Sequence, residues 1–289
     1  FDSNDFMKID PTHGFVDYKN YQDAHDGGLI KTQGTELYIG VDSDHNGVAG
    51  RGSVRLESQT RYNKGLIIAH FTHIPKAVCG AWPAFWMYGP NWPNSGEADV
   101  YEQWNLADPL YAFHTGAPAD VGACTLKPST FSATQGSNNC YIHAQGQFDN
   151  EGSALSLLSS IEKVTNRPLT DATQWTSTVF RVWTWPANKA PADALSGEPN
   201  PASWGLPTFS VDSSSCDIDR AFKDMRLVLN IDFCGDAAGN EGLWGWTTNN
   251  LPGYCSGKTG YGWCPDYVNS HAGEYEEVYW KVKDIRVFQ

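Results

Sequence analysis

Apolar and polar positions alternate in short runs rich in β-branched and aromatic residues. These are LYIGV at 37–41, SVRLESQTRY at 53–62, GLIIAHFTHI at 65–74, STVFRVWTW at 177–185, MRLVLNIDF at 225–233 and VYWKVKDIRVF at 278–288. The intervals between them are filled with Gly, Pro, Asn, Asp and Ser, which favour turns, so the pattern predicts antiparallel β-structure. RVWTWP is almost continuously apolar and suits a strand buried between two sheets, with Trp183 and Trp185 in the core; KVKDIRVF alternates and suits an outer strand. A two-sheet sandwich follows. Helix is scarce, and ALSLLSSIEKV at 154–164 is its best candidate.

At 289 residues the chain has the length of one large all-β unit, and no linker or solenoid repeat divides residues 1–289. The 33 acids against 20 bases give a net charge of −13, which repels phosphate backbones and anionic lipid, so neither nucleic acid nor membrane is the expected partner. No apolar run approaches the roughly 20 residues that span a bilayer. Seven cysteines without a C-x-x-C pair point to disulfides in an oxidising compartment, hence a secreted protein with one thiol left over. Cys124 and Cys140 flank a polar loop and are expected to pair, a bridge stabilising by about 3 kcal/mol in the chain-entropy model. Cys216, Cys234, Cys255 and Cys264 should form two further bridges, with three connectivities open. Cys79, in a small apolar segment, is the expected buried free thiol.

The candidate chemistry lies in NWPNSGEADVYEQWN at 91–105, where Glu97, Asp99 and Glu102 interrupt an apolar and aromatic run. Side chains alternate along a strand, so Glu97 and Asp99 share a face while Glu102 would point away. A one-residue bulge in the Val100–Tyr101 pair returns Glu102 to the same side. The two glutamates then stand roughly 13 Å apart along the backbone, at about 3.3 Å per residue. Their arms can close to the roughly 5 Å at which one carboxylate attacks a sugar carbon while the other protonates the leaving oxygen. Asp99 between them helps set different protonation states on two identical side chains. Trp86, Trp92 and Trp104 nearby suit a sugar-stacking cleft.

GEADVYE resembles the E-x-D-x-x-E bulge signature of glycoside hydrolase family 16, especially fungal laminarinase-like endo-β-glucanases. DPTHGFVDY (10–18), GRGSVRL (50–56), CGAWPAFW (79–86), NWPNSGE (91–97), FHTGA (113–117), FCGD (233–236) and CPDYVN (264–269) resemble that group in order. The resemblance implies a β-jelly roll of two curved antiparallel sheets with a concave cleft, and an extracellular retaining endo-β-glucanase acting on β-1,3- or mixed β-1,3/1,4-glucan. It implies Glu97 as nucleophile, Glu102 as general acid/base and Asp99 as assisting carboxylate, with Arg55, Trp86, Trp92 and His114 contacting sugar. The chain departs from the pattern at Gln103–Trp104, at Ala237 where many relatives carry Trp, and in the long segment from Glu151 to Gln174.

Strand parity places Arg51, Ser53 and Arg55 together, facing the cleft if Val54 and Leu56 face the core. DSDHNG at 42–47 opens like a calcium loop, but its twelfth position is Ser53 rather than the bidentate Glu an EF-hand requires. The expected chemistry needs no cofactor and no catalytic metal; a structural calcium held by scattered oxygens is left open. The expected partner is a polysaccharide, bound by a monomer. Two alternatives share the scaffold: a β-glucan transglycosylase, in which the glycosyl-enzyme passes its sugar to another sugar, and a non-catalytic carbohydrate-binding protein, which has no need of paired glutamates.

Overall fold

A computed structural model describes residues 3–156, 167–245 and 254–289. Two seven-stranded sheets dominate it. The first runs in the order β10 (Thr134–Gln135), β11 (Ser153–Ser156), β9 (Leu110–His114), β8 (Glu97–Glu102), β7 (Ala81–Tyr88), β15 (Arg226–Phe233) and β5 (Arg55–Glu57). The second runs β14 (Phe209–Asp212), β13 (Val179–Pro186), β12 (Leu169–Trp175), β6 (Gly65–His73), β16 (Trp280–Phe288), β3 (Glu36–Ile39) and β2 (Ile30–Gln33). Neighbours within both sheets are antiparallel. β1 (Val16–Tyr18) pairs in parallel with β4 (Arg51–Ser53) as a separate ribbon.

The alternation read from the sequence explains the layering. On β15, Leu227, Leu229, Ile231 and Phe233 enter the core, leaving Val228, Asn230 and Asp232 on the opposite face. From the second sheet Phe71, Trp175, Phe180, Val182, Phe209 and Trp280 meet them between the layers. Each such side chain contributes about 1.5–3 kcal/mol by leaving water. The other face of β7, β8 and β15 is thereby free to carry polar groups.

Several expectations change. Trp183 and Trp185 lie outside the main core: with Trp204, Leu66 and Ile68 they form a second cluster on the opposite face of the second sheet. β16 is not an outer strand, because it is paired on both sides, with β6 and β3, and its alternation reflects one face open to solvent. The expected helix at 154–164 begins instead as β11, paired with β9, and residues 157–166 lie outside the described set. Arg51 does not face the cleft. It is fully buried, donates to the Val268, Asp42 and His45 carbonyls and lies 4.9 Å from the Tyr275 ring centroid. The parity count fails because Val54 falls between β4 and β5, so the two segments belong to different sheets.

The cysteines also differ. The bridges are Cys79–Cys255, Cys124–Cys216 and Cys234–Cys264, and the buried free thiol is Cys140. Cys140 is a backbone neighbour of Cys124, its N–H donating to the Cys124 carbonyl at 3.0 Å, but its sulfur turns toward Ser153 while Cys124 faces Cys216 across an antiparallel bridge.

Candidate active site

The bulge expected from spacing is present on β8. Against β9, Asp99 pairs with Ala112 and Glu102 with Leu110, so three steps on one strand match two on the other. Against β7 the pairs are Tyr88 with Glu97, Trp86 with Asp99, Phe85 with Tyr101 and Ala84 with Glu102. Val100 is the extra residue. It and Tyr101 are fully buried in the core, while Glu97 and Glu102 remain partly accessible. Three carboxylates therefore share one face.

Both ends of the strand are held. Before it, the Asn91–Gly96 turn contains a cis Trp92–Pro93 bond, and the Asn91 N–H donates to Ser95 Oγ at 2.6 Å. Gly96 has φ 76°, and a Cβ there would lie 2.4 Å from the Ala221 carbonyl oxygen, so only glycine fits. After the strand, the Gln103 side chain is wholly buried and donates to the Asn105 carbonyl at 2.5 Å. Asn105, in the left-handed region at φ 53°, accepts from the Gly80 N–H at 2.7 Å and donates to the Ala238 carbonyl at 2.9 Å. The departure at Gln103 thus serves as an anchor beneath the site.

Each glutamate has its own indole. Trp92 Nε1 donates to Glu97 Oε2, and Trp82 Nε1 donates to Glu102 Oε1 at 2.6 Å. His114 Nε2 lies 3.1 Å from Asp99 Oδ2, with both side chains nearly inaccessible. Burial and the Asp99 charge raise Glu97 to about 7, against the opposing pull of His114 and the Trp92 N–H. Burial and Asp99 raise Glu102 further, to about 8, with Trp82 opposing. Burial alone would lower His114, but the Asp99 bond and the Glu97 charge outweigh it and raise His114 to about 9. His114 is thus raised among acids that are themselves raised, each by burial and by its charged neighbours.

The expected sugar contacts divide. Trp92 borders the site and is 42% exposed. Trp86 lies on the same face, its Nε1 donating to Asn230 Oδ1 at 2.9 Å, with Asn230 in turn donating to the Tyr18 hydroxyl at 3.0 Å. Arg55 lies 5.1 Å from the Trp86 ring centroid, but it is buried and its Nε and Nη2 donate to Glu57 Oε1 at 2.9 and 2.7 Å. It enters the site as half of a neutral pair. His114 contacts Asp99 and sits deep in the site. Sequence reasoning missed Trp82, Glu57 and Asn230. Trp82 shares parity with Trp86, a signal the sequence carries, and in the ladder it lies opposite Asp232. Glu57, which also accepts from the Tyr88 hydroxyl at 2.9 Å, shares strand parity with Arg55, a signal the sequence also offered.

Among the described residues, Glu97, Asp99 and His114 bring candidate ligand atoms within 4.8 Å of one another. The pairing of His114 Nε2 with Asp99 already uses the nitrogen that faces the acids.

A bulged strand that turns three carboxylates onto one face of a two-sheet β-sandwich, each glutamate held by an indole, defines a glycoside hydrolase type of site. The chain belongs to glycoside hydrolase family 16: residues 4–288 match the family model described as the XgeA-like, catalytic GH16 domain. It is 34% identical over 304 aligned residues to a probable endo-1,3(4)-β-glucanase of Aspergillus fumigatus, an alignment that covers 100% of this chain and 43% of the relative. The chain thus spans less than half the length of that relative. Among solved structures, laminarinase 16A from Phanerochaete chrysosporium, with 6-O-glucosyl-laminaritriose in donor and acceptor sites, superposes with a TM-score of 0.84 at 29% identity, covering 98% of this chain and 94% of that one. An elongating GH family 16 β-1,3-glucosyltransferase superposes with a TM-score of 0.83 at 29% identity, covering 99% and 94%. These neighbours agree with the jelly-roll architecture expected from the sequence.

Proposed function

We propose that this chain is the catalytic unit of a secreted endo-β-glucanase that cleaves β-1,3- or mixed β-1,3/1,4-glucan with retention of anomeric configuration, without a cofactor or catalytic metal. The observation that carries the reading is the bulge that puts Glu97 and Glu102 on one face in different electrostatic settings. Glu97, which accepts from the Trp92 indole N–H, attacks the anomeric carbon. Glu102, raised by burial and the Asp99 charge, gives its proton to the departing glycosidic oxygen, and a covalent glycosyl-enzyme results. Water then enters on the same face, Glu102 takes its proton, and the sugar leaves with its original configuration. Asp99, paired with His114, stands between the glutamates and raises both. Trp86 and Trp92 offer ring faces to glucose units, while the Arg55–Glu57 pair adds donors without net charge, which suits a neutral polysaccharide.

The β-glucan substrate is supported by the Aspergillus relative and the laminarinase neighbour; secretion is supported by three disulfides. Proton NMR of the first-formed product from a laminarin oligosaccharide tests the mechanism: a β-anomer is expected, and an initial α-anomer overturns the two-step scheme. Glu97→Gln and Glu102→Gln should each lower turnover by about 10²–10⁴ while preserving the fold. Wild-type turnover in either variant removes that glutamate from the reaction. Glucosyl transfer is the second reading, favoured by the elongating glucosyltransferase neighbour. Products longer than the starting oligosaccharide at high substrate concentration would select transfer over hydrolysis.

A further inference from the structure

The indole that holds Glu102 is itself seated where two chain segments cross. The segment 10–15 runs over the end of β15 and the turn that follows it. Gly14 forms an antiparallel bridge with Cys234, the Phe15 N–H donates to the Phe233 carbonyl at 2.6 Å, and the Asp236 N–H donates to the Thr12 carbonyl at 2.9 Å. Asp232, the ladder partner of Trp82, is 2% exposed. The Thr12 hydroxyl oxygen lies 2.6 Å from Asp232 Oδ2 and 2.6 Å from Asp10 Oδ1, so one hydroxyl bridges two carboxyls. A hydroxyl has one hydrogen to give; it donates to one carboxyl and accepts from the other, which must hold a proton. Burial, followed by the Asp10 charge, raises Asp232 to about 8 and marks it as the holder. The remaining oxygens are taken: Asp232 Oδ1 accepts the Phe233 N–H at 2.6 Å and Asp10 Oδ2 accepts the Gly14 N–H. On the outside, His13 Nδ1 lies 3.1 Å from both Asp236 carboxylate oxygens, a second tie between the same segments.

Trp82 rests on that crossing. Gly235 lies in the left-handed region at φ 58°, and a Cβ there would stand 3.2 Å from Trp82 Cζ3, 2.6 Å from the Thr12 carbonyl oxygen and 3.3 Å from Gly14 Cα. The bare glycine lets the ring, the turn and the clasped segment meet at one point. Cζ3 is at the far end of the indole from Nε1, so the contact is the heel of a lever whose tip donates to Glu102 Oε1 at 2.6 Å. We propose that Thr12 and Asp232 are positioning residues: their clasp with Asp10 seats the Trp82 ring, and the seated indole holds the Glu102 carboxyl where it delivers its proton. This rests on Glu102 being the acid. The effect passes through a single ring, from its heel at Gly235 to its N–H.

The test compares Thr12→Val, Thr12→Ser and Asp232→Asn in the full chain, with melting curves establishing that each is folded. Thr12→Val keeps the shape of the side chain and removes the bridging hydroxyl. The first readout is the indole N–H signal of Trp82 in a proton–nitrogen correlation spectrum, identified by its disappearance in Trp82→Phe. Thr12→Val should move that signal upfield as the bond to Glu102 loosens, and Thr12→Ser should keep it in place. Asp232→Asn should also keep it, because a carboxamide still reaches the Thr12 hydroxyl and the Phe233 N–H. The second readout is the falling limb of the kcat/KM profile on a β-1,3-gluco-oligosaccharide. Thr12→Val should move it toward alkali by up to about one pH unit, the displacement for losing the indole donor outright. In a Trp82→Phe background Thr12→Val should add nothing, since both act through the same bond. A purely structural clasp would lower the melting temperature and leave the signal and the limb in place, which overturns the proposal; an additive shift in the double variant overturns it as well. If Trp82→Phe itself leaves the limb unmoved, the assignment of Glu102 fails and the proposal falls with it, whereas a Trp82 signal unmoved by Thr12→Val refutes the clasp alone.

Discussion

Replacing Trp82 with Phe should widen the pH range of activity on its alkaline side. The substitution keeps an aromatic face in the cleft and removes one atom pair, the indole N–H that donates to Glu102 Oε1 at 2.6 Å. That bond favours the ionised carboxylate, so its loss raises the Glu102 pKa above its already elevated position. A hydrogen bond to a charged group contributes about 1.5–3 kcal/mol, and about 1.4 kcal/mol corresponds to one pH unit. Complete shielding would thus move the pKa by one to two units, about one to two as an upper range, and because Glu102 is partly accessible, water replaces some of the loss. A displacement of about one pH unit remains. The assay is the pH dependence of kcat/KM on a β-1,3-gluco-oligosaccharide, whose falling limb reports loss of the acid's proton in the free enzyme. Trp92→Phe is the counterpart, since it strips the donor from Glu97 and should move the rising limb toward alkali, narrowing the bell. If Trp82→Phe leaves the falling limb where it was, Glu102 is not the acid that limb reports, or the indole does not tune it.

Three further outcomes follow from the same structure. Asp171 is raised to about 8 by burial, and Asp232 to about 8 by burial and then by the Asp10 charge, so both bind protons more tightly folded than unfolded. Their stabilising contribution is complete below about pH 4 and is lost as pH rises to 8, at up to about 1.4 kcal/mol per pH unit for each group; melting temperatures from pH 4 to 9 should fall steadily, and a maximum near pH 8 would contradict this. Cys79→Ala opens a loop of 176 residues, a loss of about 5 kcal/mol in the chain-entropy model, and should depress the melting temperature more than replacing the free thiol Cys140 with Ser. Asn105→Ala strands the Gly80 N–H and the Ala238 carbonyl, which should cost about 2–4 kcal/mol in denaturant unfolding.

The catalytic strand was legible because its chemistry is local. Glu97 and Glu102, five positions apart, cannot share a strand face without an inserted residue, so spacing alone implied the break at Val100–Tyr101. The strands of the two sheets were legible for a similar reason, since period-two alternation is set by neighbours in sequence. What escaped depends on partners far along the chain. Cys79 meets Cys255, 176 residues away, and the Cys124–Cys216 pairing follows from a bridge between distant loops rather than from the nearness of Cys140. Glu57 gains the Tyr88 hydroxyl only when β5 is laid beside β15, with β7 beyond it, whereas Arg55 is its neighbour on the same strand. Trp183 and Trp185 were legible as buried aromatics but not as members of a cluster on the far side of the second sheet.

The placement of the disulfides has a mechanical corollary. Cys79 lies two residues before β7 and Cys234 immediately follows β15, at the same end of two paired strands, and both are tied to the segment between Cys255 and Ser270. The candidate site therefore has one riveted wall, beside Trp82 and Glu102, where the proposed proton delivery needs a fixed lever arm. The opposite rim, at the Trp92 turn, carries no rivet of its own. If the chain acts on glucan as proposed, substitutions meant to admit a side-branched or kinked substrate should begin at that rim.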